Sequence, residues 1–155
     1  MSNPMLDERA LIGALLHLPL STATEVRAEF DREDLDDARL RIVVDLIDDC
    51  IGRNLRPDAA VVLAAGRTSA LVPPSRLGEL GYLLICLVEE VPHPSAGSFY
   101  ALAVVEASVR RRIAEAATRL EQASSAELTA ALAVVADECA ALVDCASRIL
   151  KGAKL

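Results

Sequence analysis

Apolar residues recur along most of this chain at steps of three and four, the spacing of an amphipathic helix. Leu11, Ile12, Leu15 and Leu16 make one such face, with Asp7 placed to cap the helix and Pro19 to end it. Thr22 to Glu25 has the spacing of a capping box, predicting a short second helix that turns Val26 and Phe30 inward. The acidic stretch Asp31 to Asp37 then leads to a third helix over roughly 37–52, carrying Leu40, Val43, Val44, Ile47 and Ile51. Gly52 sits where its C-cap is expected.

Pro57-Asp58 opens a fourth helix, with Asp58 as N-cap and Val61, Val62 and Leu63 inside it. Pro73-Pro74-Ser75 breaks the chain again, and a helix over about 76–90 follows, rich in Leu and carrying Tyr82 and Ile85. Pro92-His93-Pro94-Ser95 is the strongest punctuation, because two prolines so close exclude a helix interior. The chain is therefore divided into a helical head, residues 1–95, and a second subdomain, residues 96–155, within one domain.

Beyond that break the pattern changes. Leu102, Val109, Ile113, Ala116, Leu120 and Ala123 fall on one stripe, with one seven-residue step at its start. Ser124 to Glu127 has capping-box spacing. Leu128, Leu132, Val135, Cys139, Leu142, Ala146 and Ile149 then form an unbroken four-three series. Two heptad stripes joined by a tight turn predict a long antiparallel helical hairpin. Each arm of about 25 residues would be roughly 37 Å long at 1.5 Å per residue. The second arm is apolar beyond its stripe, at Ala131, Val134, Ala141, Val143 and Leu150, so a second copy of the hairpin is the simplest cover for that face. The expected hairpin and dimer interface comprises Leu102, Val109, Ile113, Leu120, Leu128, Leu132, Val135, Cys139, Leu142 and Ile149.

Composition strengthens the all-α expectation. Of the 155 residues 53% are apolar, yet only 3% are aromatic, and Ala, Leu and Val dominate. A mean hydropathy of +0.34 is high for one small domain and suggests apolar surface covered by a partner. The formal charge of −7 argues against direct nucleic-acid binding. The basic cluster Arg110-Arg111-Arg112 is flanked by Glu106 and Glu115, as on a solvated helix face. Cys50, Cys86, Cys139 and Cys145 are scattered, with no metal-ligand spacing, and are read as small buried thiols. No signal peptide or membrane span is predicted, which points to the cytoplasm.

Catalytic motifs are not found. Lys151 and Lys154, the only lysines, precede neither Ser nor Thr, so there is no Walker A loop. His17 and His93 are read as structural or exposed. The carboxylates Asp31, Glu33, Asp34, Asp36, Asp37, Asp48 and Asp49 are read as solvated strings rather than an acid–base pair. No cofactor, metal or catalytic residue is expected.

Several segments together resemble a family. Glu8-Arg9-Ala10-Leu11-Ile12-Gly13-Ala14-Leu15-Leu16 is similar to the opening helix of the N-terminal domains of DnaB-type replicative helicases. Asp34 to Val44 resembles that family's aromatic-and-histidine segment, with Asp34, Arg41 and Val43 at matching places and Leu35-Asp36 and Leu40 departing. Pro57-Asp58 with Leu63, Gly81-Tyr82-Leu83 with Val91-Pro92, and Tyr100-Ala101 with Val104, Glu106 and Arg110 follow in the family's order, over roughly residues 6–150.

The resemblance implies a helical head and a hairpin that pairs with a neighbouring copy. In the family such pairs build a collar of three dimers and present a docking surface to primase. The family continues into a RecA-like ATPase that has no counterpart after Leu150, so ATP hydrolysis and unwinding are not expected. The expected role is a non-catalytic assembly module in DNA replication, whose partners are itself and a replicative helicase or primase. The alternatives are a small-molecule-responsive helical regulator, marked by a closed pocket and a monomer, and a small helical enzyme, marked by convergent Arg and Glu side chains.

Overall fold

The structure, a computed structural model, describes residues 4–122 and, beyond them, 127, 129–130, 132–136, 139–140, 143 and 147. Up to Gln122 the helices run in the order α1 Pro4–His17, α2 Leu20–Arg27, α3 Ala38–Gly52, α4 Ala59–Thr68, α5 Leu77–Glu90 and α6 Gly97–Gln122. Single 3₁₀ turns at Arg32–Asp34, Pro74–Arg76 and Pro94–Ala96 lead into α3, α5 and α6. No strand occurs among the described residues, and the protein is all-α. Beyond Glu127, which lies in a turn, the other described residues are helical. None of the described helices is long and apolar enough to cross a membrane.

The chain forms two compact units, Met1–Val104 and Val105–Leu155, so α6 contributes to both. In the first, α1 packs against α5, α3 and α2, while α4 packs against α3 and α5. Its core is aliphatic: Leu11, Ile12 and Leu15 of α1, Leu40, Val43, Val44, Leu46 and Ile47 of α3, and Leu84 and Leu87 of α5 are buried, with Phe30. Of these, Leu11, Ile12, Leu15, Leu40, Val43, Val44, Ile47 and Phe30 are residues that the sequence pattern placed inward, whereas Tyr82 and Ile85 of α5 are 72% and 56% exposed.

Helix ends differ in detail from expectation. α1 starts at Pro4, where a missing N–H costs nothing, and Asp7 lies in its first turn instead of capping it. α2 starts at Leu20 with Pro19 as N-cap, so the capping box expected at Thr22 does not form; Thr24 Oγ1 instead donates to Leu20 O at 2.8 Å. Asp37 caps α3, its carboxylate accepting from Arg39 N at 2.8 Å. Asp58 caps α4, accepting from Val61 N at 2.9 Å. Gly52 is the last residue of α3, and the left-handed position falls on Asn54, at φ 59°.

Two carboxylates sit inside the fold. Asp34, read as part of a solvated string, is fully buried: its Oδ2 accepts from Asp31 N at 2.8 Å and closes the 3₁₀ turn before α3. Glu8 is buried as well, accepting from Asp36 N at 2.7 Å and Asp37 N at 3.2 Å, and so ties α1 to the start of α3. Its signal in the sequence is the helical phase that it shares with Leu11, Ile12 and Leu15. Arg41 secures the same corner by donating twice to Leu35 O, at 2.8 and 2.6 Å. Arg27 bridges α2 and α3 through a bidentate pair with Asp48, at 2.7 and 2.8 Å, while lying 4.8 Å over the Phe30 ring.

Candidate interaction surfaces

Two apolar surfaces stand out, one in each compact unit. The first concerns α6 and the described residues after it. Early in α6, Gly97, Tyr100, Ala101, Val104, Val105 and Ser108 are buried, and Ala101, Val104, Val105 and Ser108 form a stripe at i, i+3, i+4 and i+7. The expected stripe lies beside it, with Leu102 and Val109 half-buried and Ile113 52% exposed.

Farther along, Ala116 is buried and Leu120 half-buried, whereas Leu132 is 51%, Val134 47% and Val143 64% exposed. Val135 is half-buried and Cys139 exposed. Leu128, Leu142 and Ile149, together with the capping box expected at Ser124, lie outside the described residues. The polar side of α6 carries the i,i+4 pairs Glu106–Arg110, at 3.0 Å, and Glu115–Arg119, at 3.9 Å.

The second surface is a groove of about 390 Å³ in the first unit. One wall is α5, which contributes Glu79, Tyr82, Leu83 and Cys86; the other is the segment Leu71 to Pro73. Val72 and Leu80 are buried at its base, while Leu71 is 50% and Tyr82 72% exposed. Arg9, Arg39 and Arg76 line it from three different elements. Arg9 pairs with Glu90 at 2.7 Å and Arg39 with Asp37 at 2.6 Å. The Arg39 guanidinium, helped by Arg9, holds the Asp37 carboxyl below its ordinary range. Tyr82 has its phenol pushed up, chiefly by the neighbouring Cys86 thiol.

Among the described residues, no group of three or more His, Cys, Asp or Glu is arranged to hold a metal ion. His17 Nε2 donates to Val88 O at 3.0 Å, and His93 is exposed. Cys50 is buried as expected, and burial pushes its thiol up, away from the reactive thiolate; Cys86 is half-buried. Cys145 lies outside the described residues.

Comparison with known proteins decides the fold family. The crystal structure of the N-terminal domain of DnaB helicase from Mycobacterium tuberculosis matches with a TM-score of 0.73 and 28% identity, over 86% of this chain and 96% of that one. The chain is similar to a DnaB N-terminal domain. No family model and no curated protein matches the sequence.

The segments that carry the DnaB resemblance are largely scaffold. Glu8 and Asp34 bond backbone amides, Arg41 a backbone carbonyl, and Tyr100 and Ala101 are buried. Gly13 lies so close to α5 that a Cβ there would collide with Leu87 O. Those residues specify the DnaB N-terminal fold; Tyr82, exposed on the groove, is an exception.

Proposed function

We propose that the chain is a non-catalytic assembly module of DNA replication, pairing with itself through its C-terminal helices and docking a replicative helicase or primase in the cytoplasm. The observation that carries this reading is the exposure of Ile113, Leu132, Val134 and Val143 in a chain whose fold is that of a DnaB N-terminal domain. Apolar side chains at helical spacing gain roughly 25 cal/mol per Å² when a partner removes them from water. In this reading residues 96–155 form the pairing hairpin, and the expected stripe from Leu102 to Ile149 supplies the contact between copies.

A ligand-responsive regulator would need a closed apolar cavity. The groove on α5 is instead open, with two of its apolar side chains half or more exposed, which suits a macromolecular partner better. Light-scattering mass on a sizing column tests the proposal, with the protein alone and mixed with its host's helicase or primase. A dimer that joins or remodels either partner is the expected result. A monomer indifferent to both overturns it.

A further inference from the structure

We draw no further inference here: the strongest candidate, the open groove between α5 and residues 71–73, carries nothing, because Arg9 and Arg39 are paired with Glu90 and Asp37, Arg76 has Glu79 in the same lining, and nothing in the structure shows what covers it.

Discussion

The two compact units use the same aliphatic alphabet at the same helical spacing, and among the described residues they cover it to different degrees. In Met1–Val104, Leu11, Ile12, Leu15, Val43 and Ile47 are sealed in a core that five short helices build among themselves. In Val105–Leu155, Ile113, Leu132, Val134 and Val143 stay half open to water. Short helices joined by proline turns can double back and cover one another. A long helix presents a stripe on every turn and covers only what meets it. Periodicity thus reports which side chains want burial; chain reversal decides whether they obtain it within one molecule.

The largest test of that contrast is a matched pair of truncations. Ile47→Ala removes a fully buried side chain and should cost about 2–5 kcal/mol in denaturant unfolding. Ile113→Ala, on a half-exposed side chain, should stay within about 0.5 kcal/mol under conditions where the protein is monomeric. Equal costs would erase the distinction between the units. Next in size is Gly13→Ala, expected to destabilise by about 2 kcal/mol although alanine is the better helix former, because the added Cβ meets the backbone oxygen of Leu87. A raised melting temperature would show that the α1–α5 crossing has slack.

Glu8→Gln should cost about 1 kcal/mol, since one of the two amides held by the carboxylate loses a charged acceptor. Hydrogen exchange at Asp36 and Asp37 would report it directly. Leu132→Asp should shift the light-scattering mass toward monomer, while costing no more than about 0.5 kcal/mol under conditions where the parent protein is itself monomeric. An unchanged mass would remove Leu132 from the pairing surface.

The smallest effect is one of acidity. Arg39 holds the folded-state carboxyl of Asp37 below its unfolded value, so the stability it contributes is complete above about pH 4 and fades as pH falls through the lower native value. Arg39 is largely exposed, so solvent screens the pair and Asp37→Asn should flatten the acid limb only slightly.

How far these features could be read in advance follows from their range. Asp58 was legible as a cap because capping is local: a short polar side chain, three residues and one backbone amide suffice. Thr22 met the same local rule and failed it, since Pro19 already serves as the N-cap of α2 three residues earlier. Asp34 looked like one acid among many and proved to be buried, because its role depends on the Asp31 backbone folding back over it. The groove on α5 left no mark on the sequence at all. Its two walls and three arginines come from separate segments between Arg9 and Cys86.

By itself, the sequence determined the helices and the apolar side of each, because both depend on residues a turn or two apart. It also marked, through residues such as Glu8, Gly13 and Arg41, the scaffold of the DnaB N-terminal fold. Only the tertiary structure decided which apolar stripe of α6 is covered, which carboxylates are buried, and where basic side chains gather on an acidic protein. Each of those outcomes requires distant segments to meet, and meeting is a property of packing, not of spacing along the chain.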